Sequence, residues 1–275
     1  MIKKIVFLLP ILLYAIVPSD DEYYVHKGEQ ATIIYTEEYA YEAQIAAAKW
    51  QRLQKIYENE FRYKPNAVFL TLSSKKNQIA NAVTFSVPLL GMEFYSAGAQ
   101  MINYFGYKDW IEILLAHEGA HIYQLDNKGD IPQLAQTALG RNTAPIFVGI
   151  LPIFTLPNIF LPDLLLEGNA VYNESRITAA GRLYQSRHKA LFMTLLKADL
   201  LTDDRILNNH ILFPYMEEKY IVGGFFFELL DRRFGNGRTN SFFALHGDRW
   251  INPFLVDLSF KEHFGEGFYT LFDAF

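Results

Sequence analysis

The pattern His-x-x-x-His, filled by His117 and His121 with Glu118 directly after the first histidine, lies in the run WIEILLAHEGAHIYQLD and constrains this chain more than any other feature. Trp110, Ile111, Leu114, Leu115 and Ile122 recur at helical spacing, Asp109 stands where a cap is wanted, and Glu112 follows three residues later. The spacing predicts a helix from Asp109 to about Asp126, ending before Asn127 and Gly129. Residues four apart on a helix share a face, so the two imidazoles can share one metal ion.

Zinc suits such a pair. A catalytic zinc takes three protein ligands and leaves a position for water, whose pKa falls from 15.7 to about 7. Glu118 is then placed to take the proton. The plainer alternative is an amphipathic helix whose histidines are solvated or stacked in the core. The third ligand decides between them. Gln124 and Asn127 stand where a metzincin continuation wants Gly and His, so a carboxylate from elsewhere is required. The best source is LPDLLLEGNAVYNES, in which Pro162 and Asp163 open a helix and Glu167 falls one turn inside it. Gly168 and Ala170 are small enough to let this helix pack closely on the first. Glu174, seven residues after Glu167 and on nearly the same face, is placed to accept a hydrogen bond from a ligand imidazole, or else is an exposed helix carboxylate.

Glu167, Gly168, Ala170, Tyr172 and Glu174, read as E-G-x-A-x-Y-x-E, resemble the third-ligand helix of aminopeptidase-N-like gluzincins, a group of zinc metallopeptidases. The resemblance spans roughly residues 31 to 235 and is closest to exported bacterial gluzincin domains often fused to TolB-like propellers, although no propeller follows here. It implies that Glu167 is the third zinc ligand. The 45 residues between His121 and Glu167 exceed the usual spacing, and a proline-rich stretch fills the excess. Tyr220 and Gly223 in KYIVGGFFFELL resemble the Tyr-x-x-Gly segment that supplies a phenol to the tetrahedral intermediate, which makes Tyr220 the expected oxyanion stabiliser. Any one of 17 tyrosines is also a packing candidate. Gly91, Met92 and Glu93 in LLGMEFY resemble the segment with which aminopeptidases hold a substrate's free amine, with Phe94 in place of the family's Asn. Without that likeness, Glu93 reads as a solvent-facing residue on a strand.

The remaining pattern predicts an α+β fold of thermolysin or gluzincin type: an N-terminal mixed sheet with the H-E-x-x-H helix, then a mostly helical lobe. Strands are expected at Ala31–Thr36 and Ala67–Ser74, a helix from about Glu37 to Glu60, and two short β-like runs within Asn81–Ser96, broken by Pro88 and Gly91, as a hairpin or edge strand. Later helices are expected near Asp163–Ala179, Leu183–Leu200 and Glu217–Phe234. The N-lobe would cover about residues 20–130 and the helical lobe about 131–275, with a peptide lying along an edge strand of the cleft between them. Pro145 to Pro162 is apolar but carries four prolines, and reads as a loop over that cleft or as an interfacial membrane segment. His26, His188, His210, His246 and His263 have no ligand spacing among themselves.

Residues 1–19 have the layout of an export signal: Lys3 and Lys4, an apolar run from Ile5 to Val17 interrupted by Pro10, then small residues before Asp20. Retention as an inner-membrane anchor is the alternative to export into a periplasm or medium. With no cysteine there is no disulfide, thiol chemistry or lipoprotein attachment. A net charge of −5 argues against nucleic acid as a partner. The expected activity is hydrolysis of peptides or proteins by one catalytic zinc ion. The competing expectation is a catalytically silent, zinc-stabilised binding module of the cell envelope.

Overall fold

The computed structural model describes residues 22–29, 31–65, 67–73, 81–86, 89–95, 110–140, 156–208, 212–235 and 237–275. The leader, Asp109, His210 and residues 145–155 of the proline-rich stretch lie outside them. The architecture is mixed α+β, with one N-terminal sheet followed by helices.

Strands β1 (Tyr23–Lys27), β2 (Ala31–Thr36), β3 (Val68–Ser73), β4 (Asn81–Phe85) and β5 (Gly91–Tyr95) form a sheet of order β1-β2-β3-β5-β4. β2 and β3 are parallel and joined by helix α1 (Ala40–Phe61), β3 and β5 are parallel, and both edges run antiparallel to their neighbours. The expected edge strand is thus β4, paired with β5. β1 was not legible because all five of its residues are exposed, which removes the alternation that betrays a half-buried strand.

Helix α1 buries Ala43, Ala46, Trp50, Leu53, Tyr57 and Phe61, a stripe at spacings of three and four. The H-E-x-x-H helix, α2 (Trp110–Asp126), packs on that stripe with unusual closeness. A Cβ at Gly119 would come within 2.9 Å of the Trp50 ring and 3.0 Å of the Tyr57 ring. The Tyr57 hydroxyl donates to the Ala116 carbonyl, and Tyr57, Phe61 and Tyr123 form one aromatic cluster.

The second half comprises α3 (Asp130–Leu139), α4 (Asp163–Thr178), α5 (Ser186–Lys197), α6 (Asp203–Leu207), α7 (Glu218–Phe234), α8 (Arg238–Gly247), α9 (Val256–Phe264) and α10 (Phe268–Asp273). The helix expected from Leu183 is a 3-10 turn, Arg182–Tyr184, followed by α5. The apolar C-terminus becomes α10, whose Phe268 and Phe272 pack on Phe226. A single hydrophobic cluster runs from Ile33 in the sheet to Phe272 in the last helix.

Polar groups cross the same interior in hydrogen-bonded pairs. Asn240 of α8 donates to Glu60 at 2.7 Å and to Asn173 at 2.9 Å, while Arg176 makes two bonds to Glu60 at 3.0 and 2.6 Å. Buried polar groups carry a penalty of about 1–3 kcal/mol when left unpaired, so this network demands one register of α1, α4 and α8. His246 is likewise a satisfied core residue, bonded to Ser259 at 2.8 Å and to the Pro253 carbonyl at 3.0 Å. Among the described residues, no helix is long and apolar enough to cross a membrane.

Candidate metal centre

Three donor side chains meet where α2 crosses α4. His117 and His121 leave one face of α2 with ring centroids 4.9 Å apart, and the Nε2 atom of each lies 3.2 Å from the same Glu167 Oε2. Nitrogen and oxygen ligands bound tetrahedrally to zinc at about 2.0–2.1 Å sit roughly 3.3 Å from one another, so the spacing fits a shared ion. His117, His121 and Glu167 are the group among the described residues that could hold a metal ion.

The tautomers follow from the remaining bonds. His117 Nδ1 faces Glu174 Oε2 at 2.8 Å, and an ionised carboxylate only accepts, so Nδ1 carries the hydrogen. His121 Nδ1 faces Gln124 Oε1 at 2.8 Å. The orientation of that amide is settled by its other end, because Gln124 Nε2 donates to Asn169 Oδ1 at 2.7 Å and to the Leu166 carbonyl at 3.1 Å. Both Nε2 atoms are therefore left bare toward the centre, as metal ligation requires.

Glu174 is fully buried rather than an exposed carboxylate, and it is held on three sides. Besides His117, it accepts from the Arg182 backbone N–H at 2.9 Å and from Arg182 Nη1 at 3.0 Å. Gly181, at φ +93°, makes this possible. A Cβ there would lie 2.8 Å from Ser175 Oγ, and only the bare backbone turns back over the end of α4 to aim Arg182 inward.

The charges favour a cation at the centre. Burial and Arg182 push the His117 imidazole down, but bonds to Glu167 and Glu174 outweigh them and raise it to about 9. Burial alone would raise Glu167, yet His121 and His117 hold its carboxyl far below the usual range. Burial likewise works against Glu174, and Arg182 with His117 keeps its pKa lowered. The buried Glu174 and the half-buried Glu167 thus draw positive charge onto His117, a charge that a metal ion supplies without protonating the ligands.

Around the three donors lies a cleft of about 320 Å³ lined by β4 from Asn81 to Thr84 and by Leu114, Glu118, Leu166, Arg182 and Tyr220. Glu118 accepts a bond from Thr84 Oγ1 at 2.7 Å, which ties the side chain to the edge strand. Tyr220, in the first turn of α7, donates to Glu167 Oε1 at 3.3 Å, and the Arg182 guanidinium lies 5.0 Å over its ring. Burial and the Glu167 charge push its phenol well above the usual value, so it keeps its proton at neutral pH and serves as a donor.

Two expectations need correction. Glu93 does not reach the cleft. It sits opposite Val83 in the β4–β5 ladder, whereas Thr84, on the other face of β4, is the residue that meets Glu118. The Tyr95 hydroxyl donates to Glu93 at 2.9 Å, and β4 intervenes between β5 and the sheet edge. Gly168, in turn, makes its closest approach to α7 and not to α2: a Cβ there would stand 2.4 Å from the Gly223 carbonyl carbon.

Sequence reasoning missed Thr84, Gln124 and Arg182 as parts of the site. Gln124 carried a signal, since it stands three residues after His121 and so on the same helix face. Arg182 and Thr84 carried none. Replacing Gln124 with Leu is expected to weaken metal binding about 10–100-fold, because nothing then fixes the His121 tautomer. Competition against a chromophoric chelator measures this, and unchanged affinity in a folded variant would dismiss the role. No protein-family model matches the chain, and a search of curated proteins finds no match.

Proposed function

We propose that the chain is a zinc-dependent peptidase of the gluzincin type. The observation that carries the reading is the convergence of both Nε2 atoms on one Glu167 oxygen at 3.2 Å, with Glu118 beside them in an open cleft. The likeness of the Glu167 and Tyr220 segments to gluzincin motifs supports the same class. His117, His121 and Glu167 would hold the ion; when bound, zinc supplies Lewis acidity toward a carbonyl and toward water.

The chain's own groups divide the remaining work. An extended peptide aligns with the edge of β4, which is the outer strand of the sheet among the described residues, where backbone groups pair with it as an added strand. Glu118, oriented by Thr84, removes a proton from the attacking water and returns one to the departing amine. Tyr220 donates its phenol hydrogen to the oxyanion. Glu174 and Gln124 keep the two imidazoles in the ligating tautomer.

Zinc content and casein hydrolysis test the proposal together. Wild type is expected to bind zinc and cleave casein, to lose cleavage on chelation and to regain it with added zinc, whereas Glu167→Gln is expected to lose most of its metal. Full zinc occupancy with no cleavage of casein or of a peptide library would replace the peptidase reading with the zinc-stabilised binding module.

A further inference from the structure

A second cavity opens on the side of α4 turned away from the metal centre. Its volume is about 720 Å³, and its walls come from α4, the turn Arg182–Tyr184, α5 and α7. Small-molecule sites span roughly 300–1,000 Å³. Tyr172 and Arg176 follow Glu167 by five and nine residues, which at 3.6 residues per turn carries them to the opposite face of the helix. Apolar surface comes from Leu183, Phe192 and Phe225, the two rings packed at 4.9 Å, with the more exposed Tyr184 and Met193 beside them.

Three residues of these walls carry a buried polar atom with no hydrogen-bond partner among the described residues: Tyr172 Oη, Arg176 Nε and Asp231 Oδ1. Tyr172 is only 4 % exposed. Burial and the neighbouring Asp231 push its phenol up, yet neither Oη nor Oδ1 completes a bond. The other nitrogens of Arg176 are committed to Glu60 and to Asn173 Oδ1, and Ser175 Oγ accepts from the Leu183 N–H at 3.1 Å. A buried donor or acceptor without a partner has lost its water and regained nothing, so a ligand group that meets it there gains a bond at no further desolvation cost to the protein.

We propose that this cavity binds a small zwitterion with an apolar body, of the class of a hydrophobic α-amino acid. The acceptor Asp231 Oδ1 calls for a donor such as an ammonium, and the donor Arg176 Nε calls for an acceptor such as a carboxylate. Tyr172 Oη can serve either. A ligand carrying one of the two groups alone would leave the other atom unpaired. The walls offer both signs: Arg176 and Lys189 stand on α4 and α5 and Asp231 on α7, while Arg232 is paired with Glu228 at 2.8 Å. Leu183, Phe192 and Phe225 then receive the apolar body. The site stands whether or not the chain cleaves peptides.

Calorimetric titration of the full chain with L-phenylalanine, L-leucine and L-methionine tests it. At least one is expected to bind saturably, one per chain. For phenylalanine, phenethylamine lacks the carboxylate and hydrocinnamate lacks the amine, and each is expected to bind at least about tenfold more weakly. Tyr172→Phe removes an oxygen that bonds nothing in the free protein, so it is expected to keep or raise the melting temperature while weakening binding about threefold to tenfold. Asp231→Asn is expected to weaken binding at least about tenfold. Glu167→Gln, which alters the metal centre, is expected to leave it unchanged. Absence of saturable binding by all three amino acids would overturn the proposal, as would equal binding of either truncated compound. A Tyr172→Phe variant that melts lower and binds as before would overturn it by showing that Tyr172 and Asp231 serve only each other. Binding lost in Glu167→Gln would overturn it by moving the ligand to the metal.

Discussion

Glu118→Gln is expected to bind zinc as tightly as wild type and to hydrolyse casein slower by at least about 10²–10⁴-fold, the usual contribution of a positioned general base. The amide has nearly the same shape, and its oxygen still accepts the bond that Thr84 Oγ1 now donates at 2.7 Å. None of the three donors at the centre is altered. The substitution therefore removes the proposed general base while leaving the three donors in place. Glu167→Gln differs in kind, because it removes the carboxylate on which both Nε2 atoms converge and should lose metal and activity together. Retained hydrolysis in Glu118→Gln would end the general-base assignment. Loss of metal from the same variant would mean that Glu118 serves the site structurally.

Gly223→Ala is expected to lower stability by about 3 kcal/mol and to reduce metal binding with it. In an ordinary helix the same change favours folding by about 1 kcal/mol, so the sign alone is diagnostic. At this crossing a Cβ would lie 2.4 Å from the Leu164 carbonyl oxygen and 2.7 Å from Gly168 Cα. Both obstacles are backbone, and no rotamer relieves them; α4 and α7 must move apart. Glu167 precedes Gly168 on one helix and Tyr220 lies one turn before Gly223 on the other, so their 3.3 Å hydrogen bond depends on the contact. A loss of several degrees in melting temperature should accompany weaker metal retention. An alanine variant with unchanged or raised melting temperature would show that the two helices have room to spare.

The periodic stretches were legible because periodicity is what a chain writes locally. Ala40–Phe61, Trp110–Asp126, Asp163–Thr178 and Glu218–Phe234 lie close to their expected spans, since each has an apolar stripe facing the core. α3 has such a stripe on the wrong side, and β1 has none, and both were missed. The shared face of His117 and His121 was readable for the same reason, as one turn of helix brings them together whatever surrounds it. Glu93 shows the converse. Its neighbours in sequence resembled a substrate-binding segment, but the face it presents is set by its register with β4.

By itself, then, the sequence determined the α2 helix, the pairing of its two histidines and the presence of Glu118 between them, because a spacing of four along a helix is a geometric constant. Only the tertiary structure decided that Glu167 meets them, that Glu174 and Gln124 orient them, and that Arg182 and Thr84 complete the surroundings. The contacts of Thr84, Glu167 and Glu174 with the α2 residues join positions 34 to 57 apart, and they depend on how elements pack: on Gly168 against Gly223, on the turn at Gly181, and on the register of the edge strand.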